Sequence, residues 1–284
     1  MNSLSLKIVP AHAGLAGLLL LASAAGLGRC EDLPLWEAGI GIAGISSPSY
    51  RGASDMRYYP LPLPYAIYRG KIFKADRDGV RGVFVDTEQV KLNTSLTASL
   101  PVSGEDYAPR RGMPDLKPTV EVGPSLDLRL WRSQDRRRQL DLRLPLRFGL
   151  TVESNPRTIG WAFSPRLNLD LRDPLGLSDW NLGLLAGPIF GSRRYHDYFY
   201  SVDPAYATPD RPAYEAEGGY AGLQLIAAVS RRFPSYWVGA FVRYDSLQGA
   251  VFEDSPLVQS DHYLAVGLGI AWVLGESSTR VQDD

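Results

Sequence analysis

The chain has 284 residues, with 30 Lys and Arg against 31 Asp and Glu and a formal net charge of −1. A balance this near neutrality excludes a basic surface dedicated to nucleic acid, so no nucleic-acid partner is expected. The single cysteine, Cys30, excludes a disulfide scaffold and a cysteine-ligated zinc site, and no metal or other cofactor is expected.

In chain order, residues 1–30 read as an export signal. Lys7 gives the positive start, Leu15 to Leu27 the apolar core, and Ala22-Ser23-Ala24 a small-residue cleavage site. A lipoprotein signal would also end at a cysteine such as Cys30, but Arg29 stands where that signal needs a small residue, so ordinary cleavage is expected. After this segment no apolar run approaches the ~20 residues of a spanning helix, which excludes a helical membrane protein. The expected organisation is a signal (1–30), one barrel domain (31–274) and a polar C-terminal tail (275–284) that is disordered in the periplasm.

The mature chain alternates with period two. Gly39-Ile40-Gly41-Ile42-Ala43-Gly44 spells a dinucleotide fingerprint, but turn residues, Ser46-Ser47-Pro48-Ser49-Tyr50, follow where a helix would have to start. Small residues on the inner face of a strand are the better reading. From Leu140 to Val152, Leu140, Leu142, Leu144, Leu146, Phe148, Leu150 and Val152 share one face, and Asp141, Arg143, Pro145, Arg147, Gly149 and Thr151 share the other. Residues 90–100, 126–130, 161–172 and 264–274 repeat the pattern. Twelve strands are expected, at about 36–46, 57–69, 70–76, 79–86, 90–101, 116–131, 138–152, 158–173, 179–194, 218–232, 236–247 and 262–274, or ten without the pair at 70–76 and 79–86.

A soluble sandwich also alternates. Several of these strands, however, run well past the soluble mode of ~5–6 residues and suit a tilted membrane strand of ~9–11. Trp36, Trp131, Trp161, Trp180, Trp237 and Trp272 lie near strand ends, as an interfacial girdle would place them. The expected fold is therefore all-β, a transmembrane antiparallel up-and-down barrel. Long connections (47–56, 102–115, 195–217, 248–261) follow odd strands and short ones follow even strands, which puts the N-terminus in the periplasm and the long loops outside. Asp127, Arg129, Asp141, Arg143, Arg147, Asp170 and Arg172 then point into the lumen, where their mixed signs fit either a crosslinked interior or an open selective pore.

Two histidines follow the signal, His196 and His262, beside Asp197 and Asp261 and near Ser201, Ser255 and Ser260. Outer-membrane hydrolases use a Ser/His constellation, so a lipid hydrolase is one alternative. Neighbouring strand residues face opposite sides, so an Asp-His dipeptide is not expected to orient its own imidazole. The histidines are read as outer-rim residues and no catalytic residue is assigned. The loop from His196 to Gly218, with Tyr198, Phe199, Tyr200, Tyr206 and Tyr214, suits either contact with sugars or proteins or folding over the barrel mouth. Arg136-Arg137-Arg138 reads as a solvated periplasmic turn, and the Asn93-Thr94-Ser95 acceptor motif as part of a strand.

The series Pro48-Ser49-Tyr50-Arg51-Gly52-Ala53, then Tyr59-Pro60-Leu61-Pro62-Leu63-Pro64-Tyr65, resembles the MipA/OmpV family of outer-membrane proteins. So do Gly187-Pro188 with Tyr195-His196-Asp197-Tyr198-Phe199, Ala213 to Gly219, and Asp254-Ser255-Pro256-Leu257-Val258. The resemblance covers essentially the whole mature chain. It implies a non-enzymatic barrel in outer-membrane lipid, of which the founding member is a scaffold between a lytic transglycosylase and a murein synthase. Other members are linked to adhesion, osmotic response and antibiotic uptake. The family tends to end near a terminal aromatic, whereas here Trp272-Val273-Leu274 precedes the polar tail. A structural or scaffolding role is expected, with a narrow diffusion channel and a lipid hydrolase as the alternatives.

Overall fold

The computed structural model describes residues 33–281 apart from 71, 72, 77, 78 and 106. The expected export signal with Cys30, and the last three residues of the tail, lie outside the described residues. The described strands are β1 (Leu33–Pro34), β2 (Trp36–Pro48), β3 (Met56–Arg69), β4 (Phe73–Asp76), β5 (Gly79–Asp86), β6 (Val90–Ser99), β7 (Thr119–Arg132), β8 (Arg138–Thr151), β9 (Thr158–Phe163), β10 (Arg166–Arg172), β11 (Trp180–Gly191), β12 (Gly219–Arg232), β13 (Tyr236–Ser246), β14 (His262–Glu276) and β15 (Arg280–Val281). One helix, α1 (Arg193–Tyr200), follows β11.

From β2 to β14 each strand but β9 pairs antiparallel with the next, and β14 returns to β2 through ten residue pairs from Val266↔Ser46 to Glu276↔Glu37. β9 and β10 each bridge β8 to β11. They are one stave interrupted at Ser164-Pro165, where proline has no N–H to give the ladder. The thirteen strands of the sheet thus form a ring of twelve staves, with the single expected strand at 158–173 broken in two. A closed ring is what a sheet in hydrocarbon requires, because every backbone donor and acceptor there needs an internal partner.

The side chains are distributed inside-out. Ile40, Ile42, Leu96, Phe148, Leu264 and Leu268 stand exposed on the outer face, while Asn93, Glu121, Asp141, Asn168, Ser230 and Asp245 are buried. A soluble barrel would reverse this. Trp36, Trp131, Trp161 and Trp272 are exposed near strand ends, as a girdle requires. Trp237 is not one of them. It is only 2% exposed and fills the interior beside Phe241, Leu63 and Ala271. Glycines make the room: a Cβ on Gly239 would lie 2.2 Å from the Trp237 ring, and one on Gly267 would lie 2.3 Å from the Phe241 ring.

At the foot of the ring, Glu37 accepts from Arg69 of β3 at 2.8 Å and from Arg232 of β12 at 2.9 Å. Because β13 and β14 separate β12 from β2 along the sheet, the second contact crosses the interior. The tail is ordered as far as it is described, contrary to expectation. β15 pairs with β1 (Leu33↔Val281, Pro34↔Arg280), and the Leu35 N–H donates to Thr279 O at 2.9 Å. Two strand ends with unpaired backbone groups satisfy each other there.

One seam of the ring is short. Among the described residues β3, 14 residues long, meets β4 at Tyr68↔Ala75 and Arg69↔Lys74, and β6 meets β5 at Lys91, Leu92 and Asn93. The last described pair of the β4–β5 hairpin is Asp76↔Gly79.

Leu144 lies mid-strand on the lipid side of β8, facing away from Arg143. Leu144→Arg should cost roughly 2–4 kcal/mol, as a cation near the bilayer midplane does, and Arg143→Leu should cost far less. Denaturant unfolding in bilayers measures both, and equal tolerance would contradict the facing.

Candidate functional site

The residues that come together most densely are in the outer loops. β11 ends at Gly191, and Ser192 caps α1 by accepting the Tyr195 N–H at 3.2 Å while also accepting the Trp161 N–H at 3.0 Å. The chain has room to turn inward because a Cβ on Gly191 would lie 2.3 Å from His196 Nε2. The loop expected at 195–217 therefore starts as a helix tucked against the mouth, with His196 fully buried and Tyr200 nearly so.

Around Tyr200 the long loops share one core. Tyr200 stacks on Phe252 at 3.7 Å between ring centroids, Tyr50 meets Tyr107 edge-on at 5.3 Å, and Leu247, Phe252 and Leu257 are fully buried. Polar ties fix the same loops. The Tyr50 hydroxyl donates to Leu257 O at 2.7 Å, the Ser255 hydroxyl to Tyr200 O at 2.6 Å, and Arg110 to Phe199 O at 3.1 Å. Arg211 donates to Pro109 O at 3.0 Å and Arg111 O at 2.9 Å. Gly52 holds a left-handed φ of +93° and its carbonyl accepts from Gln259 and Ser260. The outer mouth is thus covered by a cap with its own apolar interior.

Beneath the cap lies a chamber of about 240 Å³, lined by residues such as Tyr59, Thr97, Phe241, Tyr195, Arg51 and Arg243. Asp245, with no solvent exposure, accepts from Arg51 at 3.0 Å, from Gln224 at 3.2 Å and from Arg243. Two guanidiniums meet one carboxylate, which leaves a surplus positive charge. Arg51 Nη2 is buried without a hydrogen-bond partner among the described residues. On the other side, Glu121 accepts from Arg147 at 3.3 Å and from the Tyr195 hydroxyl at 2.7 Å, so α1 is anchored to the barrel wall.

The expected lumen residues lie on the polar face of β7, β8 and β10. Asp127 accepts from Asn93 (2.9 Å) and Ser125 (2.7 Å), Asp141 from Gln139 (2.7 Å), and Asp170 from Asn168 (2.7 Å) with Arg143 at 3.9 Å. Arg147 also reaches Ser95 at 3.4 Å, and Ser95 is on β6, two staves away. Arg129 keeps a buried Nε without a partner among the described residues. Arg172, at the foot of β10, gives its backbone N–H to Arg137 O.

Of the family-motif residues, Tyr50, Gly52 and Ser255 lie within the cap, Pro48 ends β2, Pro256 adjoins the buried Leu257, and Asp254 is exposed. Gly187 and Pro188 sit where β11 shifts register, and Pro60, Pro62 and Pro64 lie on β3. Glu37, Arg51, Glu121, Arg243 and Asp245 escaped sequence reasoning. The one available signal was Arg51 inside a motif already marked.

Among the described residues neither histidine has a serine hydroxyl on its ring. His196 Nδ1 lies 2.6 Å from Glu217 O, and its Nε2 has no partner among the described residues. His262 Nδ1 does meet Asp261 Oδ1, at 2.6 Å, against the expectation for adjacent residues. Asp261 precedes β14 and is free of its alternation. Ser260 spends its hydroxyl on His262 O.

The MltA-interacting protein MipA family model matches residues 40–274. The chain belongs to this family. Outer membrane protein OmpV of Vibrio cholerae serotype O1 (strain ATCC 39315 / El Tor Inaba N16961) is 27% identical over 243 residues, covering 84% of this chain and 86% of that protein. Among solved structures, a bacterial polysaccharide outer membrane secretin is similar at a TM-score of 0.41 and 11% identity over 84% of this chain and 99% of that one. Outer membrane phospholipase A from Escherichia coli is similar at 0.32 and 12%, over 91% and 98%. Family membership and the inside-out ring place the protein in the bacterial outer membrane.

Burial holds the His196 imidazole below its ordinary pKa, with the Glu217 carbonyl opposing. The unfolded ring takes up a proton below pH ~6.5 and the folded one does not, so this share of cap stability is present above that pH and is lost as pH falls. Limited proteolysis within residues 201–218 should accelerate on acidification, and His196→Gln should flatten that dependence. An unchanged pH profile in the variant would remove His196 as the cause.

Proposed function

We propose that this protein is a closed, non-catalytic barrel that anchors a murein-remodelling partner at the periplasmic face of the outer membrane. The observation that carries the reading is the cap: four long loops and α1 share one apolar core over the mouth. A barrel whose outer opening is filled by its own side chains suits a structural role better than diffusion.

The periplasmic turns supply a docking surface. Residues 133–137 are held by Ser133 N–H donating to Arg138 O (2.9 Å) and Arg137 N–H donating to Asp135 (3.1 Å), with Arg136 at a left-handed φ of 57°. Arg136, Arg137 and Arg138 are exposed on this rigid turn. The family's name describes interaction with MltA, and a lytic transglycosylase, with a murein synthase beyond it, is the partner class this reading adopts.

A narrow channel remains the second reading, favoured by the charged face of β7, β8 and β10. Planar-bilayer recording separates them. The refolded protein, with folding confirmed by heat-modifiable gel migration, should be silent, and deleting residues 201–216 should introduce conductance. Stable ion-selective steps from the intact protein, altered by Arg143→Ala or Arg147→Ala, would overturn the closed reading. Crosslinking from Arg137→Cys should capture the periplasmic partner; capture unaffected by reversing the turn's charges would remove the turn as the docking surface.

A further inference from the structure

The connection between β10 and β11, residues 173–179, is unlike the other short turns. Among the described residues four other than glycine hold a left-handed φ, and three of them are here: Asp173 at 47°, Leu175 at 56° and Asp179 at 65°. The fourth, Arg136 at 57°, is in the β7–β8 turn. The two turns touch, because the Arg172 N–H donates to Arg137 O at 2.8 Å and the Arg137 guanidinium meets Asp173 at 3.7 Å. A left-handed leucine is strained by its Cβ against the following carbonyl oxygen. The turn is held in this shape nonetheless. The Asp173 carboxylate accepts the Asp179 N–H at 2.7 Å, the Asp173 N–H donates to Trp180 O at 2.9 Å, and Arg231 of β12 meets Asp179 at 3.4 Å. What it presents is apolar: Leu175 is fully exposed, and Leu177 more than half. Strain and exposed hydrocarbon bring the folded chain nothing by themselves, and strained backbone gathers where a surface is shaped for recognition.

Neither leucine belongs to the lipid-facing wall. Trp180 pairs with Arg231 and Leu171 with Arg138, so an aromatic ring and two cations mark the end of the hydrocarbon at this height. Residues 174–178 stand beyond it, on the periplasmic side. Beside them the charge balance is positive. Residues 132–138 and 172–179 hold five arginines against three aspartates, and Asp173 and Asp179 are already held by Arg137 and Arg231. Arg136 and Arg138, both exposed, make no ion pair among the described residues. We infer, resting on the reading of the barrel as a periplasmic anchor, that the β10–β11 turn is the centre of its docking surface. The partner it fits is a periplasmic protein with an apolar socket edged by carboxylates. Leu175 and Leu177 enter the socket, and Arg136 and Arg138 meet its acidic edge. The leucines carry the affinity, because exposed ion pairs contribute little while a side chain leaving water contributes in proportion to its area.

Purified MltA of the organism that encodes this chain is the probe, titrated against the refolded full-length protein in phospholipid nanodiscs. Leu175→Ser should weaken binding by about tenfold or more, as loss of a central anchor does, and Leu175→Met should leave it nearly unchanged. Leu175→Gly takes the left-handed backbone without strain but has no side chain. It should lose binding as Leu175→Ser does while its urea midpoint stays level or rises, a combination that damage to the fold would not give. Saturable binding that neither Leu175→Ser nor Leu175→Gly changes would overturn the socket and leave the anchor reading standing. No binding of the unaltered protein would remove that reading, and the socket with it. A nitroxide at Ser178→Cys, in a Cys30→Ser background, should be more accessible to a water-soluble nickel reagent than to oxygen, and shielded from nickel once MltA is bound. Preference for oxygen before MltA is added would put the turn in the lipid, and nickel access unaltered in the complex would put the contact elsewhere; either defeats the socket.

Discussion

Satisfaction of the backbone by other backbone is the constraint from which the remainder of this structure follows. Water is absent from the bilayer core, so each strand must find two neighbours or give up the groups that need them. Most of the ring does the first: β14 is joined to β2 through ten residue pairs, and the broken stave of β9 and β10 keeps both its neighbours across the interruption at Pro165. On β3, where residues 56–67 pair with β2 alone among the described residues, Pro60, Pro62 and Pro64 take three donors off the other edge. Pairing and proline are two answers to the same problem within one ring.

With the backbone consumed in this way, the outer face has only to be apolar and the inner face must satisfy itself. It does so in two different ways around the circumference. From β12 through β14 to β3 the interior is filled by Trp237, Phe241 and Leu63, for which glycines on β13 and β14 leave space. From β6 to β10 it is filled by charges and amides that bond one another. Three of the buried carboxylates, Glu37, Glu121 and Asp245, each hold at least one guanidinium. Removing one partner from such a pair strands a charge and costs about 3–5 kcal/mol, so these clusters fix the relative position of staves far apart in sequence.

The staves were legible because period-two alternation is a local property: Leu140 to Val152 announces its two faces without reference to any other segment. The parity of loop lengths was legible for the same reason. What escaped was long-range or set by one neighbour. Arg51 and Asp245 are 194 positions apart, and no periodicity links them. Trp237 sits near a strand end like the girdle tryptophans, and only the glycines opposite it reveal that it turns inward. α1 depends on space left by Gly191 and a cap supplied by Ser192, neither of which carries a helical pattern across eight residues. Asp261 reaches its neighbour His262 because the strand begins between them, a boundary that alternation alone does not place.

The cap is tied to the barrel wall through one short connection in particular. Residues 49–55 link β2 to β3, and from this short loop Tyr50 enters the cap core, Arg51 reaches down to Asp245, and the Ser54 N–H donates to the Tyr107 hydroxyl across the seam at 3.3 Å. The loop thus ties the roof both to the β6–β7 connection and to the barrel wall at Asp245. A cap held in this way from β2, β13 and the β6–β7 connection bars the aqueous route from above. The chamber beneath it then meets two guanidiniums against one carboxylate, a positive balance that the loop itself creates by carrying Arg51 down to Asp245.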